Sequence, residues 1–309
     1  MTEYVGFDIG GTNTQYGLIN GQGQILDQGS FPTAQLRQDN LNALVKATAR
    51  YQQDHAIAGI GLSAPGIITR EGYMITGGAV ACFYEFDLAG VLSEMTGLPV
   101  RVENDANAAA IAEHWLGNAQ DVADYICLVL GTGIGGGIVL NNAVYRGAHG
   151  MAGEIGWSIT HDLDYTHNFE AASLNFSAAV VSGLVRRYNA SLAQVQPTAQ
   201  PLNDAADILA LAHEHDRIAS PIYRQYLDDV TVMLMNLIGT LDPERILVGG
   251  GISANDRFMA DLQAHFDEFM ARHESLNRVN PRLHFRLMPA GLRNNAGLIG
   301  AVYPLTQLK

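Results

Sequence analysis

Apolar residues come in short, closely spaced runs through the first half of the chain and in helical stripes further on. Tyr4 to Ile9 reads as a strand, Gly10-Gly11-Thr12-Asn13 as a turn and Thr14 to Ile19 as a second strand. After the plain turn Asn20-Gly21-Gln22-Gly23, residues 38–54 form an amphipathic helix with Leu41, Leu44, Val45 and Ala49 inward. Ile57 to Leu62 is a strand that runs into Ser63-Ala64-Pro65-Gly66. Tyr73 to Phe86 is apolar and glycine-rich and takes no clear assignment. A helix over Leu88 to Thr96 ends at Gly97-Leu98-Pro99. A buried strand then reaches Val102-Glu103-Asn104-Asp105, and an alanine-rich helix follows, closed by Gly117.

The polar stretch Asn118 to Asp124 reads as a domain boundary. Tyr125 to Leu130 is a strand, Gly131-Thr132-Gly133-Ile134-Gly135-Gly136-Gly137 a glycine loop, and Ile138 to Leu140 a strand that ends in the turn Asn141-Asn142. Arg146 to Trp157 is a glycine-rich loop with one acid, Glu154, and residues 158–170 are irregular. Helices are expected over Ser173–Tyr188, Asp204–His215, about Ser220–Leu241 and Asp256 to about His273, with a polar loop over 189–203. Ile222, Tyr226, Val230, Leu234, Leu237 and Leu241 form the core stripe of the third of these, which Asp242-Pro243 stops. Ile246–Val248 is a strand ahead of a third glycine loop, Gly249-Gly250-Gly251-Ile252-Ser253. Leu283–Met288 reads as a strand and Asn295–Val302 as a small-residue helix.

The 309 residues suffice for two domains, each with its own core, or for one large α/β unit, and 48% hydrophobic with 16% charged residues marks a packed globular chain. A net charge of −13 argues against a basic face for nucleic acid or anionic membrane. No apolar run is long enough to span a bilayer, and Met1 to Asp8 lacks the basic start of a signal peptide. Cys82 and Cys127, far apart and each among apolar residues, read as buried thiols of a cytoplasmic protein.

Asp105 has two compatible readings. It stands, with Asn104, where a helix N-cap belongs, and it is a carboxylate held in a fixed direction that can serve as a general base. Gly10, Gly11 and Thr12 let backbone N–H groups approach phosphate oxygens, and Asp8 can hold magnesium through water; the alternative is an ordinary hairpin turn. Gly131, Gly133 and Gly136 fit a dinucleotide fingerprint, but that motif needs a helix after the glycines, and here a strand-like run follows. The unit is instead a second strand–glycine loop–strand, so two related domains are expected to grip one polyphosphate. The helix after Gly249–Gly251 offers a positive dipole end. Glu154 is either a solvated acid or an acceptor for two sugar hydroxyls. His161 and His167 invite a metal, but no third ligand has suitable spacing.

In order, Asp8 to Thr12, Ser63 to Gly66, Glu103 to Asn107, Leu130 to Gly137, Gly150 to Gly156 and Asp242 to Gly251 resemble the ROK family of sugar kinases and repressors. The resemblance covers nearly the whole chain and implies an α/β protein with the two-domain actin-like, hexokinase-like (ribonuclease H-like) ATPase fold and a cleft between domains. It implies a small domain of residues 1–118 plus about 296–309, and a large one of 119–295. It further implies an ATP- and magnesium-dependent kinase of the sugar 6-hydroxyl, with Asp105 as base. Asp8, Gly10, Gly11, Thr12, Asn13, Gly131, Thr132 and Gly133 would serve the phosphates, and Gly249, Gly250 and Gly251 the adenosine. Gly66, Asn104, Asp105 and Glu154 would bind sugar hydroxyls.

The chain departs from the family pattern at Trp157, which replaces a zinc- and sugar-binding histidine, and no cysteine motif follows it. No zinc is therefore expected, and Glu170 is the candidate second sugar-binding glutamate. Near the C-terminus, Asn294-Asn295 has asparagine where the family often has aspartate. Among zinc-less members the chain is most similar to bacterial β-glucoside kinases, through Gly77 to Val80, Val102 to Asn107 and Gly300 to Tyr303. N-acetylmannosamine kinases also carry an aromatic at 157, so Trp157 is either a ring near the sugar's C1 or a core-filling side chain. N-acetylmannosamine kinase and glucokinase are the alternative enzymes. A non-catalytic sugar sensor is the alternative class, although only seven residues precede Asp8, too few for the family's DNA-binding domain. The resemblance also implies a homodimer.

Overall fold

The structure, a computed structural model, describes residues 2–160, 163–166, 168–283 and 285–308. The strands are β1 (Glu3–Ile9), β2 (Asn13–Asn20), β3 (Ile25–Pro32), β4 (Ile57–Ala64), β5 (Tyr73–Met74), β6 (Phe86–Asp87), β7 (Val100–Asn104), β8 (Tyr125–Leu130), β9 (Ile134–Leu140), β10 (Ala143–Val144), β11 (Arg245–Gly249) and β12 (Leu287–Pro289). The helices are α1 (Arg37–Gln52), α2 (Leu88–Thr96), α3 (Asp105–Trp115), α4 (Leu174–Ser177), α5 (Arg186–Val195), α6 (Ala205–His213), α7 (Ala219–Leu241), α8 (Asp256–Arg272), α9 (Glu274–Leu283) and α10 (Ala296–Thr306). The chain divides into two compact units. One holds Met1–Ala123, Gly137–Gly153 and Asn294–Lys309, the other Asp124–Gly136 and Glu154–Arg293.

The first unit is built on a sheet of order β3-β2-β1-β4-β7. β1, β2 and β3 pair antiparallel, and β4 and β7 add in parallel. Alternation along β1 sorts its side chains: Val5, Phe7 and Ile9 join a core with α1 and α2, whereas Tyr4 packs with Leu298, Val302 and Leu305 of α10. Asp8 therefore lies on the face toward α10. In the second unit β8, β11 and β12 run parallel, with β9 beside β8. Ile126, Leu128 and Leu130 of β8 enter a core that gathers α5 to α8.

Several expectations change. The helix over Ser173–Tyr188 is broken into α4, a π-helical turn over Val180–Val185 and α5, which extends to Val195 into the expected loop. The break has a cause at a distance: the N–H groups of Val180 and Val181 bond Gly131 O, at 3.0 and 3.2 Å, so they cannot continue α4. Leu283 ends α9, and among the described residues that follow it Leu287–Pro289 pair with β11. β3 forms where no strand was expected, because β2 offers it a full antiparallel register. The glycine loop after β8 is shorter than expected, since β9 starts at Ile134. Tyr73–Phe86 resolves into β5, a turn over Ala81–Phe83 and the start of β6. On α1, Ala49 is exposed, and Ala47 and Thr48 take the buried positions. Cys127 is buried but Cys82 is only partly so, and neither forms a disulfide. The stripe on α7 is as expected: Tyr226, Val230 and Leu234 are fully buried, and Ile222, Leu237 and Leu241 pack at its margins.

Candidate active site

In the first unit, β1 ends at a tight turn in which Gly10 N–H donates to Asn13 O at 3.0 Å. Thr33, just after β3, braces the turn: its N–H bonds Thr12 O at 2.9 Å and its hydroxyl bonds Gly10 O at 2.7 Å. Gly11, Thr12 and Asn13 are exposed. Asp8 lies one residue inside β1, half-buried, and accepts a 2.8 Å bond from the fully buried Ser63 hydroxyl. Burial raises its carboxyl pKa, and the Ser63 hydrogen bond opposes the shift.

Asp105 opens α3 directly after β7. Asn104, not Asp105, is the N-cap: its Oδ1 accepts from the N–H groups of Ala106 and Asn107 at 2.9 and 3.1 Å. Its Nδ2 donates to Gly66 O at 3.1 Å, leaving one amide hydrogen for a ligand. Gly66 has φ +106°, and a Cβ there would lie 2.2 Å from Thr76 O, so only glycine fits. Asp105 is solvent-accessible, yet the protein around it desolvates the carboxyl. Its pKa is pushed up to about 6, chiefly by that desolvation; the nearby Asp8 charge adds to the rise, while the Ala106 N–H, bonded at 2.8 Å, opposes it. The structure thus brings Asp8, Gly66, Asn104 and Asp105 into one neighbourhood of the first unit.

Residues not singled out from the sequence hold this carboxylate in place. Glu103, 8% exposed, accepts from Asn104 N–H and Asn107 Nδ2, each at 3.1 Å, and pairs with Arg146. Arg146 follows β10, so the ion pair ties the start of the 146–153 loop to the strand end that presents Asp105. No local pattern marks a contact between residues 43 positions apart.

In the second unit, β8 and β11 end side by side, each in a glycine loop. Gly131 N–H closes a turn on Gly133 O at 3.0 Å. Gly250 has φ +88°, and a Cβ there would lie 2.0 Å from Leu130 O, so the third glycine loop backs directly onto the end of β8. Loops at the carboxyl ends of parallel strands are the usual ligand position in open α/β sheets. A short turn over Gly251–Ala254 leads to α8, whose first N–H groups are already bonded by Asn255.

Glu154 and Trp157 flank a short turn, with Trp157 N–H on Glu154 O at 3.1 Å. Trp157 is 45% exposed, which removes the core-filling reading. Glu170 is exposed in the turn Phe169–Ala172. His161 and His167 lie outside the described residues. Among the described residues no cluster of three His, Cys, Asp or Glu side chains is placed to hold a metal, and no helix is long and apolar enough to cross a membrane.

The mixed sheet carrying Asp8 at a glycine turn, and the second sheet with its paired glycine loops, define the two-domain actin-like, hexokinase-like fold. The chain belongs to the ROK family, whose pattern matches residues 4–307. It is 34% identical over 304 residues to a β-glucoside kinase of Listeria monocytogenes, covering 97% of this chain and 96% of the relative. A solved Listeria monocytogenes structure, a candidate N-acetylmannosamine kinase, superposes with a TM-score of 0.86 at 32% identity over 99% of both chains. A ROK family glucokinase from Streptomyces griseus, solved with glucose and AMPPNP, gives a TM-score of 0.79 at 26% identity over 97% of both.

Proposed function

We propose that this protein is an ATP-dependent sugar kinase that phosphorylates the 6-hydroxyl of a hexose or β-glucoside, with Asp105 as general base. The observation that carries the reading is Asp105 itself: a carboxylate fixed at a helix start, its pKa raised to about 6. Such a group is ionised at neutral pH, yet basic enough to share a proton in the transition state. The 6-hydroxyl hydrogen-bonds to Asp105 and its oxygen attacks the γ-phosphorus in line. The new O–P bond forms as the bond to the ADP oxygen breaks, and the proton passes to Asp105 and then to water.

Gly10, Gly11, Thr12, Asn13, Gly131, Thr132 and Gly133 are assigned to the phosphates, and Gly249, Gly250 and Gly251 to the adenosine. Gly66, Asn104 and Glu154 are assigned to sugar hydroxyls, with Trp157 and Glu170 on the C1–C2 side. Asp8 suits a magnesium ion arriving with ATP, because burial raises its pKa and a cation would offset that cost. The metal's contribution is to neutralise phosphate charge. No zinc is assigned. A homodimer is proposed, to be checked by sedimentation.

The similarity to glucokinases and to a candidate N-acetylmannosamine kinase supports those substrates as the second reading. A coupled ADP-release assay with magnesium-ATP separates them. The panel is cellobiose, gentiobiose, aryl β-glucosides, glucose, N-acetylmannosamine, N-acetylglucosamine, mannose and fructose. The highest kcat/KM on a β-glucoside is the expected result. A preference for glucose or N-acetylmannosamine moves the assignment within the family. No turnover on any sugar overturns the kinase reading in favour of a sugar-binding sensor.

A further inference from the structure

Asn175 lies on α4, in the second unit, and one atom of its side chain faces two segments with different assigned tasks. Its Oδ1 accepts the Ile134 N–H at 2.8 Å, directly after the Gly131–Gly133 turn. The same oxygen lies against Gly156, between Glu154 and Trp157, so closely that a Cβ on Gly156 would fall 2.1 Å away. A Cβ on Gly133 would meet it at 3.1 Å. The Gly156 site is also closed by Ile134 O, at 2.7 Å from that Cβ position. The two segments and the carboxamide are therefore close-packed, with no room for one to move independently of the others.

The backbone around Asn175 is anchored in the same direction. Leu174 N–H bonds Ser158 O at 2.9 Å, just after Trp157. The Ser182 hydroxyl lies between the carbonyls of Thr132, at 2.6 Å, and Asn175, and shares its one proton between them. Ser182 sits in the π-helical turn, a widened geometry that recurs at functional sites.

We propose that Asn175 is a positioning residue that couples the sugar-side turn to the phosphate-side turn, so that sugar bound at Glu154 tightens nucleotide binding at Gly131–Gly133. The proposal rests on the kinase reading above. A displacement of Gly156 is passed through one oxygen to the Ile134 N–H and so to Gly133. Linkage makes the effect reciprocal: nucleotide must tighten sugar by the same factor.

The test is calorimetric binding of magnesium-AMPPNP to the full chain, with and without saturating cellobiose, and likewise with glucose. In the natural protein the sugar is expected to lower the AMPPNP Kd by about fivefold or more. In Asn175→Ala this factor should fall to near one. Asn175→Asp keeps an acceptor oxygen and should retain most of it, which a purely structural role would not require. In kinetics, Asn175→Ala should show an ATP KM independent of sugar concentration. Should Asn175→Ala fail to fold, Asn175→Ser, whose shorter hydroxyl cannot span both contacts, carries the same expectation. An unchanged coupling factor in the Ala or Ser variant overturns the proposal, as does a natural protein that binds both ligands with no coupling. A natural protein that binds neither ligand instead overturns the kinase reading itself.

Discussion

The Asp8 carboxyl fills the space over Gly297 at the start of α10: a Cβ built on Gly297 would lie 2.4 Å from Asp8 Cγ and 2.5 and 2.6 Å from its oxygens. The contact places an anion at a helix N-terminus, where backbone N–H groups and the helix dipole favour it. It also means that glycine at 297 is a condition for where Asp8 points. Gly297→Ala is expected to push Asp8 off the Ser63 hydroxyl and lower kcat on the order of 10²-fold, the usual cost of an ångström-scale misplacement. Steady-state kinetics alongside circular dichroism separates this from unfolding. Near-normal turnover in a folded variant would show that Asp8 orientation is irrelevant.

Asp105→Asn is nearly isosteric, and its Oδ1 can still accept the Ala106 N–H that Asp105 binds at 2.8 Å. Turnover should fall by about 10²–10⁴-fold, the usual contribution of a general base. Sugar binding by calorimetry should persist. The variant should also melt no lower than the natural protein at neutral pH, because it removes a carboxylate that is ionised in the unfolded chain and must stay ionised where the fold desolvates it. A variant with near-normal kcat excludes Asp105 as base.

The pH dependence follows from the same shift. A general base must be ionised to act, and the Asp105 pKa is pushed up to about 6, so with Asp105 as the proposed base kcat/KM should fall tenfold per pH unit below about 6. For stability the sign is opposite to that of a salt-bridged acid. The folded pKa lies above the ordinary aspartate value of 3.8, so between about 4 and 6 the folded state binds more protons than the unfolded, and stability declines as pH rises through that window. Asp8 contributes to the rise, so the residual activity of Asp8→Asn should show its acid limb displaced to lower pH. A limb that stays in place would break the electrostatic link between the two.

Much of this arrangement can be read from local pattern. Short apolar runs ending in glycine mark β1, β4, β8 and β11, since a buried strand with a bare loop at its carboxyl end needs only those residues. The failures lie where distant groups compete for the backbone. Ala178 and Ala179 are good helix formers, yet the helix breaks there because Gly131 O takes the next N–H groups. Leu283 has strand-like company, but β11 offers partners only from Leu287 onward. Asn175 and Arg146 sit in unremarkable sequence, and their weight comes from what lies opposite them in space. The raised pKa of Asp105 likewise depends on packing that no spacing reports.

Metal dependence gives a fourth test. With tryptophan at 157 and no cysteine motif after it, a tetrahedral sulfur and nitrogen zinc site has no ligand set of the usual kind. Elemental analysis of the purified protein should find no stoichiometric zinc. EDTA should abolish turnover and added magnesium alone should restore it. Restoration that requires zinc would overturn the zinc-free reading.

Trp157 decides whether the C1 side of the sugar is read by an aromatic surface. The residue is 45% exposed, so its truncation opens no cavity in a core, and Trp157→Ala should leave unfolding within about 1 kcal/mol of the natural protein. A ring packed against an aryl aglycone adds about 0.5–1.5 kcal/mol beyond area burial. Together these predict a loss on the order of tenfold in kcat/KM for an aryl β-glucoside, but less than about threefold for glucose, which carries only a hydroxyl and no aglycone at C1. An equal loss on both would place the ring against the sugar itself. No loss on either would take Trp157 out of the substrate site and leave the preference for β-glucosides, if the panel finds it, to Glu170 and the segment around it.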